Sequence, residues 1–405
     1  MRAALEAWIA RCAADAVLRR AAAGLSAAIG VSCVGEPPVR LRLGDGEPCG
    51  EVTIAAAPAA WERLFAEAAP APGWQSFGAI LRLNPAFTVI GAADAVAVAL
   101  AVLERMIELA RPAAEPLPAP PAARDYARVE GRFVEIAGPG GRRWLSTLVA
   151  GEGPPLLFLH TAGGDGRQFL HQLADLGLGA AWRMHAFDLP GHGRSGATPG
   201  WSEGAEYRLS LADYRDWCVA YLEQAVGEPA VVAGCSMGAA MALTLAAERP
   251  DLVRGVAAFE APWRAPGRRT PLLADARVNP QLHNAAYVRA LLGPLGPQSF
   301  RDEACWIYSQ AGFGVYLGDL WFYSEEFDGA AIAPRLAENA TPIHLLTGAY
   351  DYSAPPASSR TLAAAIGHAT FTEMPGLGHF PMIEHPDAFR PYLAAALDDI
   401  RARTS

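Results

Sequence analysis

Charge is scarce in this chain: Asp, Glu, Lys and Arg make up only 19% of its 405 residues, too few for a disordered polymer. Basic residues are outnumbered, 33 against 42, for a net charge of −9. That balance argues against a nucleic-acid partner, because phosphate binding needs a basic face. The six cysteines (Cys12, Cys33, Cys49, Cys218, Cys235 and Cys305) include no CxxC pair. Neither a zinc site nor a disulfide framework is suggested, and a reducing cytoplasm is the expected setting. No apolar run approaches the roughly 20 residues of a membrane span. The Ala-rich stretch over residues 1–28 is interrupted by Arg2, Glu6, Arg11, Asp15, Arg19 and Arg20, unlike a secretory signal. Residues 1–110 contain no histidine and no glycine-rich phosphate loop, so no catalytic constellation is expected there.

Apolar side chains, by contrast, make up 52% of the chain, enough for a large buried core. The length exceeds what one core usually serves, so two domains are expected. The boundary falls at residues 111–125, RPAAEPLPAPPAARD, where prolines interleaved with alanines end the preceding helical run and suit an extended linker. The segment before it reads as a small α+β domain. Residues 3–28 are mostly helix formers. Residues 39–43 and 50–55, flanking the turn GDGEP, suggest an antiparallel hairpin, and residues 57–68 and 94–110 read as amphipathic helices. This order, with LRLNPAFTVIGAADAVAVALAVLERM, resembles sterol-carrier-protein-like domains, a resemblance that implies an apolar ligand or an accessory role. An oligomerisation domain, giving a homo-oligomer, or a lid-supporting domain is the other expectation.

After the linker, apolar strands at residues 128–136, 144–149, 155–159, 183–187, 230–233, 253–259, 342–346 and 370–373 alternate with helical runs at 165–176, 210–226, 237–248, 357–366 and 387–402. Two opening strands followed by strand–helix alternation imply an α/β fold, a mostly parallel sheet covered on both faces. About 80 residues separate the sixth and seventh of these strands, far more than an ordinary crossover. The insertion, about 263–339, carries Trp263, Tyr287, Trp306, Tyr308, Trp321, Phe322 and Tyr323, and reads as a helical cap over a binding pocket.

In AVVAGCSMGAAMAL an apolar strand enters Gly234-Cys235-Ser236-Met237-Gly238 and passes straight into a helix. A nucleophile on such a turn needs small flanking residues, because larger ones clash with neighbouring backbone. The turn lifts the Ser236 hydroxyl clear of the sheet at a helix N-terminus, whose dipole favours developing negative charge. Cys235 occupies the position whose side chain points into the fold, where buried free cysteine is common. On this elbow, residues 128–405 resemble the α/β-hydrolase family. LLFLHTAGGDG, AFDLPGHGRSG, LLTGAYDYSAP and GLGHFPMIEHP match further family segments in family order.

The resemblance implies a serine hydrolase working with an acid and then a histidine after the nucleophile. Ser236 is the expected nucleophile, Asp351 in the turn after a strand the acid, and His379 in GLGHF the base. Glu260, just past the strand at 253–259, is the rival acid, because some members of the family carry it there. His368, opening a strand, and His385, before Pro386, are expected to be structural. The oxyanion hole is expected to draw amides from Met237 and Ala162. The family's usual His-Gly is His160-Thr161 here, so Thr161 is a further candidate through its amide or hydroxyl, while His160 buttresses the loop. Asp188 and Arg194 are expected to stabilise the loop that holds Gly191 and Gly193. His283 has no evident partner.

The function expected is hydrolysis of an ester or lactone of a small apolar or aromatic molecule, with no cofactor or metal. The same triad serves carbon–carbon and amide hydrolases, although the former typically carry Asn where Cys235 stands. A non-catalytic ligand-binding protein on the same scaffold is the remaining alternative.

Overall fold

The computed structural model describes residues 1–44 and 48–404. A four-stranded sheet comes first, with β1 (Ser26–Cys33), β2 (Val39–Leu43), β3 (Pro48–Ala56) and β4 (Phe87–Ile90) in the order β2-β1-β3-β4. The helical reading of residues 3–28 holds only in part. Helices Arg2–Ala14 and Ala16–Ala21 end before β1, whose Ile29 and Val31 are fully buried. The expected hairpin is likewise corrected, because β1 lies between the two strands, pairing antiparallel with β2 (Ile29 opposite Leu41) and parallel with β3 (Ile29 opposite Val52). Most of the turn GDGEP, residues 45–47, lies outside the described residues. Helices Pro58–Ala66 and Ala93–Ala110 form as the periodicity predicts.

Glu104 is buried in the last of these helices. It accepts the Phe77 and Gly78 amides, at 2.9 and 2.8 Å, at the start of helix Phe77–Leu83. Burial pushes its pKa from an ordinary 4.5 up to about 8, so the folded protein holds a proton that the unfolded chain has released. The stability from this proton is full below about 4.5 and is lost as pH rises through about 8. Glu104→Gln is expected to melt lower near pH 5, because its amide nitrogen faces one of the two donors at a cost of about 1–3 kcal/mol. It should also flatten the fall in melting temperature between pH 5 and 8. An unchanged slope in thermal denaturation across that range would refute the assignment.

The second sheet has eight strands: β5 (Glu130–Gly138), β6 (Gly141–Ala150), β7 (Pro155–Leu159), β8 (Arg183–Phe187), β9 (Ala230–Cys235), β10 (Val253–Phe259), β11 (Ile343–Gly348) and β12 (Thr370–Met374). Their order is β12-β11-β10-β9-β7-β8-β6-β5, parallel from β12 to β8, with β6 and β5 antiparallel at one edge. Strand alternation sorts the core onto two faces. Val232, Val256 and Ala258 pack toward helix Met237–Glu248, and Val231, Ala257 and Phe259 pack with Phe389 and Leu397 of the C-terminal helix Pro386–Thr404. Burial on both faces accounts for the continuous apolar runs in these strands. The helix expected over residues 165–176 is broken into the short turns Gly166–Phe169 and Leu170–Leu173, with Leu176–Gly179 beyond, where Asp165 and Asp175 cap fresh starts.

Between β10 and β11 the chain leaves the sheet to build the helices Pro280–Leu291, Gln298–Tyr308, Val315–Leu320 and Gly329–Glu338. The N-terminal unit is seated on this insertion and on the loop after β11. Ser76 Oγ donates to the Ala290 carbonyl (2.8 Å), Arg289 pairs with Glu108 (3.1 Å), and the Tyr350 hydroxyl donates to the Pro70 carbonyl (2.7 Å). The linker is pinned as well: the Leu117 amide donates to the Leu295 carbonyl, and its own carbonyl lies 2.7 Å from His385 Nε2. No helix among the described residues is long and apolar enough to cross a membrane.

Candidate active site

The carboxyl ends of β7, β9, β10, β11 and β12 release residues 160, 236, 260, 351 and 379 along one edge of the large sheet. Parallel α/β sheets place their ligand sites at that edge. Ser236 follows β9 directly with φ 56° and opens helix Met237–Glu248. Non-glycine residues rarely adopt such a φ, and holding it costs on the order of 1–3 kcal/mol. The flanking glycines are required by space. A methyl group on Gly238 would lie 2.1 Å from the Leu159 carbonyl oxygen, and one on Gly234 would lie 2.5 Å from the backbone of Gly238. As the first helical residue, Met237 has an amide with no intrahelical acceptor.

Ser236 and His379 line one cavity of about 30 Å³ together with Thr161, Ala162, Tyr308 and Tyr323. His379 Nδ1 lies 2.7 Å from Asp351 Oδ2, with both side chains buried. Asp351 Oδ1 accepts the Ser353 and Ala354 amides, at 2.6 and 3.1 Å. Burial works to raise the Asp351 pKa, but His379, Glu260 and the Ser353 amide together outweigh it and hold it low.

Glu260 is the other non-glycine residue with a positive φ, 52°, among the described residues. Its carboxyl accepts the Gly348 amide at 2.9 Å and shares a hydrogen bond with Asp351. Burial, then the Asp351 charge, drive its pKa far up, so it carries the proton of that bond. The two candidate acids are therefore neighbours: Asp351 meets the imidazole ring and Glu260 braces Asp351. Glu260, Asp351 and His379 also form the one cluster of metal-ligating side chains found among the described residues, with ligand atoms within 4.8 Å of one another. The hydrogen bonds just described account for that proximity without an ion.

His379 is held by its loop. Its amide donates to the Leu291 carbonyl (3.0 Å), and Glu384 accepts the Gly378 amide and the Gly293 amide. Burial pushes Glu384 up to about 7. Cys235 points inward, its thiol 3.2 Å from the His379 carbonyl, and burial pushes its pKa up, which suits packing rather than nucleophilic chemistry. His368 Nε2 lies 3.0 Å from the Thr341 carbonyl, away from this cavity, and His385 binds the linker.

On the β7 loop the Thr161 expectation meets a competing set of bonds. Its amide donates to Gln168 Oε1 (3.0 Å), and its hydroxyl bonds Gln168 and Tyr308. Both groups it could offer an oxyanion are engaged in these bonds. His160 Nδ1 donates to the Thr161 carbonyl (2.9 Å), and Nε2 accepts the Leu189 amide (3.2 Å). Burial depresses its pKa to about 4, so it braces the loop as a neutral ring. Asp188 stabilises the neighbouring loop by accepting the Gly166 and Arg194 amides, at 2.8 and 3.1 Å. Asp319, from the insertion, accepts the Gly163 amide (2.7 Å) and bonds His192 and Tyr207.

Of the insertion's aromatics, Tyr287, Tyr308 and Tyr323 reach the cavity, and so does Tyr316, which no motif marked. Trp306 is exposed, Phe322 and Trp263 pack into the core, and Trp321 bonds Glu326 on the surface. The Tyr323 hydroxyl neighbours that of Ser236, which works against the burial that raises its pKa. It nevertheless makes no hydrogen bond of proper geometry among the described residues.

A model of the alpha/beta hydrolase family matches residues 156–391. The chain is 29% identical over 270 residues to a pimeloyl-[acyl-carrier protein] methyl ester esterase of Chromobacterium violaceum, spanning 63% of this chain and 98% of that protein. It is 26% identical over 255 residues to a zearalenone hydrolase of Cladophialophora bantiana, spanning 60% and 88%. Among solved structures, a thermophilic esterase from Thermogutta terrifontis superposes with a TM-score of 0.56 at 20% identity, over 66% of this chain and 99% of that one.

Proposed function

Because the chain belongs to the alpha/beta hydrolase family, we propose that it hydrolyses a carboxylic ester or lactone through an acyl-enzyme. The observation that carries this reading is one shared cavity. A serine in a strained strand-to-helix turn shares its cavity with an imidazole whose Nδ1 is bonded to a buried carboxylate. In this reading Ser236 Oγ attacks the ester carbonyl while His379 Nε2 takes its proton. His379 then delivers that proton to the departing alkoxide, and a water activated by the same nitrogen releases the acid. Asp351 keeps the Nδ1–H tautomer and stabilises the imidazolium. The Met237 and Ala162 amides receive the oxyanion, each worth about 3 kcal/mol in the transition state. The relative named as a methyl ester esterase supports an ester bond as the target.

Turnover of 4-nitrophenyl esters, a ring-fission dienone and a 4-nitroanilide should be compared on one preparation, alongside labelling by a fluorophosphonate. Ester turnover at least about a hundredfold above the other two, with the label on Ser236, is expected. Faster cleavage of the dienone or the anilide would move the reading to a carbon–carbon or amide bond. Folded protein that neither turns over nor takes the label would revive the ligand-binding alternative.

A further inference from the structure

The cavity at Ser236, about 30 Å³, holds a water or two and no substrate chain. Three of its lining residues, Arg268, Tyr287 and Tyr316, also line a second chamber of about 400 Å³, a volume in the range of small-molecule sites. This chamber lies in the seam between the N-terminal unit and the insertion. Val96, Ala97 and Leu100 of helix Ala93–Ala110 form one wall, and Leu272, Leu273 and Tyr287 form the other. The hydrogen bonds and ion pairs across the seam make it a fixed part of the fold.

The chamber is apolar but not wholly so. Tyr352 lines it, is only 6% exposed, and its hydroxyl neighbours that of Ser76 without a hydrogen bond of proper geometry among the described residues. The adjacent Ser76 hydroxyl is committed to the Ala290 carbonyl and the Ala79 amide. At the threshold, Arg268 donates to the Ser353 carbonyl and the Tyr287 hydroxyl, yet its buried Nε–H has no partner among the described residues. A ligand oxygen at either group would satisfy a buried polar group that is otherwise costly to leave unpaired.

We propose that this seam chamber binds the apolar chain of the ester substrate. Arg268, Tyr287 and Tyr316 frame the passage through which the ester group reaches Ser236. The ligand class is an ester with an elongated apolar chain carrying acceptor oxygens, and the N-terminal unit supplies half of its binding site. The inference rests on the ester-hydrolase reading for the reaction, though not for the binding.

Ala97→Phe fills the chamber from the N-terminal unit and Leu273→Trp fills it from the insertion. Wild type is expected to favour 4-nitrophenyl octanoate over the acetate at least about tenfold in kcat/KM, and either variant should shrink that ratio at least about tenfold. In a Ser236→Ala background, calorimetry should detect binding of the ketone 2-undecanone, weakened at least about tenfold by Ala97→Phe or Leu273→Trp. Folded variants that leave both the ratio and the ketone affinity unchanged would overturn the proposal. So would a Ser236→Ala protein that binds no ketone. Wild type that binds the ketone in the chamber but hydrolyses neither ester would instead defeat the reaction assigned above.

Discussion

Ser236→Ala is expected to lower turnover of any ester substrate at least about a thousandfold while leaving the fold and the melting temperature nearly unchanged. The loss is large because members of a nucleophile–base–acid set act as a unit, so removing one leaves only binding and the oxyanion donors. The stability expectation follows from the backbone. Alanine has the same difficulty at φ 56° as serine, so the turn's strain is retained. The hydroxyl that is removed has Tyr323 as its neighbour in a small cavity rather than a buried bonding network. Ser236→Gly should be equally inactive and about 1 kcal/mol more stable than the alanine variant, since glycine adopts this φ freely. Steady-state kinetics and thermal denaturation of the two variants check both parts. Residual turnover within tenfold of wild type would remove Ser236 from the chemistry. An alanine variant that melted far lower would mean that the hydroxyl holds the turn together.

Legibility in the sequence followed how local the cause was. The bounds of β7, β8 and β10 and of helix Met237–Glu248 match the expectation, most simply in β7, where burial of every residue leaves an unbroken apolar run between polar turns. The elbow is legible because its glycines answer to contacts within a few residues and one neighbouring strand. β1 was not legible. Its SAAIGVSC follows an alanine-rich helix without a sharp break, and its place between β2 and β3 is decided by long-range pairing that no window of residues displays. The residues that brace the site share this difficulty. Asp319 and Glu384 bond loop amides 156 and 91 residues away in the chain, Gln168 bonds one seven residues back, and each alone reads as an ordinary polar residue on a helix or turn. Arg268 and Tyr316 gain their meaning from a seam whose other wall is nearly two hundred residues upstream.

Asp351 and Glu260 follow adjacent strands, β11 and β10, and their variants are expected to part sharply. Asp351→Asn should cost about 10³–10⁴-fold in kcat/KM. The asparagine amide would donate toward Nδ1, which is 2.7 Å from the carboxylate oxygen, and so favour the ring tautomer protonated on Nε2. A ring in that state cannot accept the serine proton. Glu260→Gln should stay within about tenfold of wild type. Glu260 already carries the proton in its bond to Asp351, so an amide N–H in its place donates the same bond, while the amide oxygen still accepts from Gly348. Glu260→Leu removes both bonds, leaving the Gly348 amide unpaired in a buried site. That variant should be destabilised by about 1–3 kcal/mol and lose more activity than the glutamine variant. Kinetics of the three proteins on one 4-nitrophenyl ester, measured from pH 5 to 9, decide the matter. A severe loss in Glu260→Gln beside a mild one in Asp351→Asn would exchange the roles, making Glu260 the acid that serves the imidazole and Asp351 its brace.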